Sequence, residues 1–165
     1  MIDQEIRDAA EQLLEHLRAH GLTIVTAESC TGGLIAAALT EIPGSSDSVD
    51  RGFVTYSNKA KEAVLGVPAD TLEQFGAVSQ ETARAMAEGV LRTSGADVAV
   101  SVTGIAGPSG GTPEKPVGLV HFGAARKGGP VIHREMRFGD LGRSEVRRRS
   151  VLTAFALVEE LLAKR

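Results

Sequence analysis

The chain has 165 residues, a net charge of −3 at neutral pH and one cysteine, Cys30. This length suits a single domain spanning residues 1–165, and the acidic balance argues against a nucleic-acid surface. A lone cysteine excludes an internal disulfide, and neither a signal peptide nor the roughly 20 consecutive apolar residues of a membrane span can be found. We therefore expect a soluble, cytoplasmic protein.

The N-terminal part of the chain predicts a helix, a strand and a second helix. Apolar residues recur at helical spacing over 3–20, and an apolar, partly β-branched run follows at 22–25. An alanine- and leucine-rich run at 34–39 predicts the next helix. The small and polar residues between them predict a tight turn, with Ser29 at the carboxyl end of the strand and free N–H groups of the helix beside it.

Two interpretations of this turn stay open. It is either a glycine-rich connection whose hydroxyl groups cap the helix, or a turn that exposes Ser29 as a nucleophile beside anion-binding N–H groups. Neither the G-x-S-x-G pattern nor the P-loop pattern is present to decide between them. The serines of the loop at 42–46 more often serve as turn residues than in chemistry.

The next strand is predicted over 51–56 and is followed by a helix over 58–65. Lys59 and Lys61 fall in the first turn of that helix, where the helix dipole disfavours a cation. Lys61 is then either a solvated surface lysine or an amine whose pKa is lowered by burial and by the helix end. A neutral lysine of the second kind could act as a base.

The remaining pattern completes an α/β fold. A polar connector over 68–75 precedes a helix capped by Ser79, and an apolar strand at 97–102 is expected in the middle of the sheet. A hairpin at 117–125 and 131–138 and a final helix after 139–140 follow. We predict a three-layer α/β/α sandwich with a mixed, mainly parallel five-stranded sheet.

The predicted sheet gathers polar segments at one edge. Ligands bind outside the carboxyl ends of strands in open α/β sheets, so residues 29–31, 56–61 and 103–107 are expected to line one crevice.

Arginines in the first turns of the final helix oppose its dipole, and an anion partner such as phosphate would explain them better than a solvated cluster. His121 and His133 lie on the hairpin without the spacing of a metal site, and we assign them no role.

Five blocks of the sequence resemble the CinA C-terminal domain family. They are TAESCTGG at 26–33, GSS at 44–46, RGFVTYSN at 51–58, GAVS at 76–79 and TGIAGP at 103–108. The resemblance implies nicotinamide mononucleotide (NMN) amidohydrolase activity without a cofactor or metal, in which NMN yields ammonia and nicotinate mononucleotide for NAD recycling. Longer members carry a preceding nucleotide-pyrophosphatase domain, whose activity we expect to be absent here.

The resemblance also assigns roles to residues. The family's serine nucleophile, tyrosine and lysine fall on Ser29, Tyr56 and Lys61, so that Ser29 attacks the amide, Lys61 takes its proton, and Tyr56 orients the lysine or relays the proton. Backbone N–H groups from Cys30 to Gly33 would hold the oxyanion. The whole substrate-binding set is expected to comprise Cys30, Thr31, Gly32, Gly33, Ser46, Thr103, Gly104, Ala106, Gly107, Arg143, Arg147 and Arg148.

Two alternatives to this mechanism are kept. The chain could be a non-catalytic nucleotide-binding or regulatory module in which Ser29 and Lys61 only contact phosphate. Cys30 could also replace Ser29 as the nucleophile, although no histidine lies nearby in sequence to serve as its base. We expect a homo-oligomer that binds a small nucleotide and neither nucleic acid nor a membrane.

Overall fold

The computed structural model describes residues 2–164, so the two end residues of the predicted 1–165 domain lie outside it. Its helices and strands largely alternate along the chain, and a short 3₁₀ turn, Ser45–Asp47, precedes the second strand. The elements are α1 (Gln4–Ala19), β1 (Ile24–Glu28), α2 (Leu34–Thr40), β2 (Val49–Val54), α3 (Asn58–Leu65), α4 (Ala69–Phe75), α5 (Gln80–Ser94), β3 (Val98–Gly104), β4 (Leu119–Arg126), β5 (Val131–Arg137) and α6 (Arg143–Ala163).

The five strands form one mixed sheet in the order β2-β1-β3-β4-β5. Strand β1 pairs in parallel with β2 and β3, whereas β4 is antiparallel to both β3 and β5. Four strands therefore run in one direction and β4 in the other, which confirms the predicted mixed, mainly parallel sheet. The apolar strand β3 lies in the middle, as its sequence predicted.

Helices cover both faces of this sheet. Side chains alternate along β3, so Val100 faces the layer of α1, α2 and α6, while Ala99 faces the layer of α3, α4 and α5. The apolar residues predicted to form the buried face of α1, including Leu13 and Leu17, are fully buried in the first layer. Met86 of α5 is buried in the second layer. Within residues 2–164, none of the helices has the length and apolar character needed to cross a bilayer.

Several boundaries differ from the sequence predictions. Strand β1 runs to Glu28 because residues beyond the predicted 22–25 continue the parallel ladders with β2 and β3. Strand β2 starts and ends two residues earlier than the predicted 51–56, so Tyr56 follows the strand. The predicted connector at 68–75 contains α4, a short helix with a single buried residue, Leu72, which gives little periodicity to detect.

The backbones of α3 and α5 approach closely at Gly89. A Cβ atom built on Gly89 would lie 1.9 Å from the carbonyl oxygen of Leu65, so this buried glycine permits the contact. We predict that Gly89→Ala lowers the free energy of unfolding by about 1–3 kcal/mol, because overpacking outweighs the better helix propensity of alanine. Urea denaturation measures this change.

The neighbouring exposed residue Glu88 provides the matched control. Glu88→Ala also introduces alanine into α5 and should change the free energy of unfolding by no more than about 0.5 kcal/mol. A Gly89→Ala protein as stable as the Glu88→Ala protein would contradict the close approach of the two helices.

Candidate functional site

A cavity of about 320 Å³ lies where β1 and β3 end and where the chain leaves β2. It gathers segments that are far apart in sequence, as the predicted crevice required. Of the residues predicted for the site, those that line the cavity are Ser29, Cys30, Tyr56, Lys61, Thr103, Gly104, Ala106, Gly107 and Arg143.

The side chain of Lys61 is buried beside Ser29. Lys61 is only 1% exposed, and its Nζ lies 3.0 Å from Ser29 Oγ. The same Nζ lies 2.8 Å from the carbonyl oxygen of Thr55 and 3.2 Å from that of Tyr56. Of the two interpretations of Lys61, the surface lysine is therefore wrong.

These contacts suit a neutral amine. Burial lowers the pKa of Lys61 because the ammonium ion loses its hydration. A neutral amine has two N–H groups, which the carbonyls of Thr55 and Tyr56 accept, and one lone pair, which can accept the hydroxyl proton of Ser29. In the ammonium form, by contrast, Nζ would donate to Ser29 Oγ, and the nearest acceptor for the hydroxyl proton would be the Tyr56 carbonyl at 3.5 Å.

Tyr56 contributes to the pair through its backbone. Its side chain is 61% exposed, and its phenol oxygen accepts a hydrogen bond of 3.0 Å from Arg143 Nη2. The carbonyl of Tyr56, rather than its phenol, contacts Lys61. The role of Tyr56 in orienting the lysine or relaying the proton stays a prediction, and its phenol lies at the rim, hydrogen-bonded to Arg143.

Cys30 lines the cavity but is poorly suited to be a nucleophile. Burial raises the pKa of its thiol to about 12, so the thiol stays protonated at neutral pH. The reactive form of cysteine is the thiolate. This environment favours Ser29 over the Cys30 alternative.

Glu28 is a residue of the site region that the sequence prediction missed. Its carboxylate is 1% exposed and accepts hydrogen bonds from Thr31 Oγ1 at 2.6 Å, Ile35 N–H at 2.9 Å and Ala36 N–H at 3.0 Å. The predicted anion-binding end of α2 is therefore occupied by the protein's own carboxylate. A carboxylate at the end of a strand, a few residues before a helix, is the signal that could have indicated this capping.

Six residues of the predicted binding set are not brought to the cavity. Ser46 lies in the 3₁₀ turn before β2, at the amino ends of the parallel strands and thus at the opposite edge of the sheet. Thr31 is buried against Glu28, and the two glycines that follow it adopt positive φ angles in the turn. With two arginines of α6, the six residues outside the cavity wall are Thr31, Gly32, Gly33, Ser46, Arg147 and Arg148.

The three arginines of α6 that were predicted for the site lie in three different environments. Arg143 lies at the cavity rim and donates from Nη1 to the Gly107 carbonyl at 2.8 Å. Arg147 is hydrogen-bonded to backbone carbonyls of the turn that carries Ser29. Arg148 is paired with the carboxylates of Asp3, Glu5 and Glu145, which contradicts its predicted position on a substrate phosphate.

Parts of the cavity wall were not predicted. Ala77 and Val78, from the loop between α4 and α5, line it, and the hydroxyl of Thr103 fixes this loop by donating to the Ala77 carbonyl at 2.8 Å. The loop after β3 adds Ser109 and Gly110, beyond the predicted segment 103–107. Such wall residues carry no chemical signature, so only tertiary structure identifies them.

No metal centre accompanies this site in the part of the chain that the structure covers: residues 2–164 contain no group of three or more histidine, cysteine, aspartate or glutamate side chains placed to bind an ion. His121 and His133 lie outside the cavity wall and contact each other, with His121 Nδ1 2.9 Å from His133 Nε2.

Comparison with known proteins places the chain in a family. The model of the CinA C-terminal domain matches residues 6–162. The chain is 54% identical over 138 residues, or 84% of each chain, to a nicotinamide-nucleotide amidohydrolase PncC from Enterobacter agglomerans. It is 50% identical to the protein of the same name from Escherichia coli K12, over 95% of this chain and 93% of that one.

A solved structure agrees with this comparison. The competence/damage inducible protein CihA from Agrobacterium tumefaciens matches with a TM-score of 0.96 and 53% identity, over 99% of both chains. The family model and these relatives extend over nearly the whole chain, including both segments that supply Ser29 and Lys61. The chain belongs to the CinA C-terminal domain family.

Proposed function

We propose that this protein hydrolyses the carboxamide of NMN to nicotinate mononucleotide and ammonia, in the recycling of NAD. The observation that carries the proposal is the 3.0 Å contact between buried Lys61 Nζ and Ser29 Oγ in the wall of a cavity. The substrate is supported by the two relatives named nicotinamide-nucleotide amidohydrolase, which are 50% and 54% identical to this chain. The cavity volume is in the range of sites for small ligands.

The proposed reaction begins with attack of Ser29 Oγ on the amide carbon. The hydroxyl proton passes to neutral Lys61, and the backbone N–H group of Cys30, which lines the cavity, stabilises the charge that develops on the carbonyl oxygen. The carbon–nitrogen bond then breaks, and Lys61 returns the proton to the leaving nitrogen, which departs as ammonia. Water attacks the resulting acyl-enzyme, Lys61 accepts a water proton, and the acid leaves as Ser29 is restored.

Burial of the lysine argues for chemistry rather than binding alone. A module that used Lys61 only to grip phosphate would need the charged form, which burial disfavours. A phosphate-binding lysine would also have to face the ligand, whereas Nζ here is directed at Ser29 and two carbonyls. These contacts favour the enzyme over the non-catalytic alternative.

Substitution of the two candidate nucleophiles should separate them. We expect Ser29→Ala to lower kcat for ammonia release from NMN by at least about a thousandfold, because the covalent route is lost. Cys30→Ala should keep activity within about tenfold of the wild type, since its thiol is neutral. An inactive Cys30→Ala enzyme together with an active Ser29→Ala enzyme would reverse the assignment.

The proposed base predicts a specific pH dependence. Because burial lowers the pKa of Lys61 below its ordinary value of 10.5, kcat/KM should rise with pH through that lowered pKa as the amine loses its proton.

Lys61→Arg should lose at least about a hundredfold in kcat, since a guanidinium stays protonated. Lys59→Arg is the matched control: Lys59 is exposed in the same helix and its substitution should be silent. Near-normal kcat in Lys61→Arg would remove Lys61 from the chemistry.

Arg143 is the predicted phosphate-binding arginine that remains at the cavity, and we propose it for the NMN phosphate. Arg143→Gln should raise KM for NMN by about tenfold or more while changing kcat much less, because this contact is shared by the ground and transition states. Steady-state kinetics with nicotinamide riboside, which lacks the phosphate, provides the control. If kcat/KM fell equally for NMN and the riboside, Arg143 would not be the phosphate ligand.

A further inference from the structure

Arg147 of α6 reaches across to the turn that follows Ser29. Its Nε donates to the carbonyl of Cys30 at 3.2 Å and its Nη2 to the carbonyl of Thr31 at 3.0 Å. The guanidinium also lies over Gly32, where an added Cβ would be 3.6 Å from Nη2. Within residues 2–164 Arg147 forms no salt bridge with a carboxylate, unlike its neighbour Arg148.

This contact fixes two consecutive peptide groups. A trans peptide is planar, with its N–H opposite its C=O, so an arginine that holds the carbonyls of Cys30 and Thr31 also fixes the directions of the Thr31 and Gly32 N–H groups. The Gly32 N–H closes the turn by donating to the Ser29 carbonyl at 3.0 Å. The Thr31 N–H has no acceptor among the described residues and points away from the guanidinium.

The other side of the same turn is held separately. Glu28 binds the Thr31 hydroxyl and the first N–H groups of α2, but it cannot bind carbonyl oxygens. Arg147 is the one side chain within residues 2–164 that is hydrogen-bonded to the carbonyls of Cys30 and Thr31. Without it, the Cys30 carbonyl would have no hydrogen-bond donor among the described residues, and the Thr31 carbonyl would keep only the N–H of Leu34 at 3.0 Å.

We propose that Arg147 is a positioning residue, which holds the turn in the geometry that presents Ser29 to Lys61 and does not contact the substrate. This assignment replaces the phosphate-binding role predicted for Arg147 from the sequence. The kinetic test of this role rests on the proposed function, because it measures NMN hydrolysis. The role itself is inferred from the contacts of Arg147 with the turn. A misplacement of about 1 Å at a reacting group can cost about a hundredfold in rate.

The test compares Arg147→Met with Arg149→Met. The control removes the same charge from the same helix, at an exposed residue that donates a hydrogen bond to Glu145. We expect Arg147→Met to lower kcat by about 10- to 100-fold, with KM for NMN within about twofold of the wild type, and to lower kcat/KM for nicotinamide riboside by the same factor. Arg149→Met should stay within about twofold of the wild type in every parameter.

A second readout does not depend on the nucleotide. Diisopropyl fluorophosphate is uncharged and phosphorylates a reactive serine with loss of fluoride, and mass spectrometry locates the label. Its rate of reaction with Ser29 should fall in Arg147→Met by a factor similar to that in kcat. Arg147→Lys, which keeps the charge but cannot span both carbonyls, should give intermediate rates and serves if Arg147→Met does not fold.

The outcomes separate the two proposals. Unchanged labelling of Ser29 in Arg147→Met, with a raised KM for NMN alone, would show a phosphate contact and overturn the positioning role. Slower labelling in Arg147→Met than in Arg149→Met, in a protein whose wild type releases no ammonia from NMN, would support the positioning role while the proposed function fails.

Discussion

The site depends on one constraint: a lysine amine is buried against a serine hydroxyl with two backbone carbonyls around it. The carbonyls of Thr55 and Tyr56 accept the two N–H groups of a neutral amine, which leaves its lone pair for Ser29. Burial lowers the pKa of Lys61, so the same environment that orients the amine also favours its basic form. The orientation of the Lys61 amine and its tendency to be deprotonated thus have one physical origin.

The fold supplies this constraint through the parallel part of the sheet. Strands β1 and β2 run side by side, so Ser29 and the segment that carries Thr55 and Lys61 leave the sheet at the same edge. The arrangement costs stability. Because the pKa of Lys61 is lower in the folded chain than in the unfolded chain, the unfolded state binds more protons between the two pKa values. The free energy of unfolding therefore rises with pH from the lowered pKa up to the ordinary lysine pKa of 10.5.

The sequence was informative where local pattern and chemistry coincide. Strand ends and a lysine in an unfavourable helical turn indicated Ser29 and Lys61, because both signals are local. The roles of Arg147 and Arg148 could not be separated, since both lie near one end of α6. Only tertiary contacts place Arg147 against the turn after Ser29 and Arg148 beside Asp3 and Glu5. Glu28 was missed because its capping of α2 depends on where the chain turns.

The central claim is that Lys61 is neutral beside Ser29 when the enzyme works, and titration of this one amine tests it most directly. The Cε resonance of Lys61, in protein labelled with 13C-lysine and assigned by its absence from Lys61→Arg, reports the protonation state as pH is varied. The account predicts a midpoint below 10.5 that coincides with the midpoint of the rise in kcat/KM. A midpoint at or above 10.5 would contradict the account, because Lys61 would then be an ammonium throughout the working range.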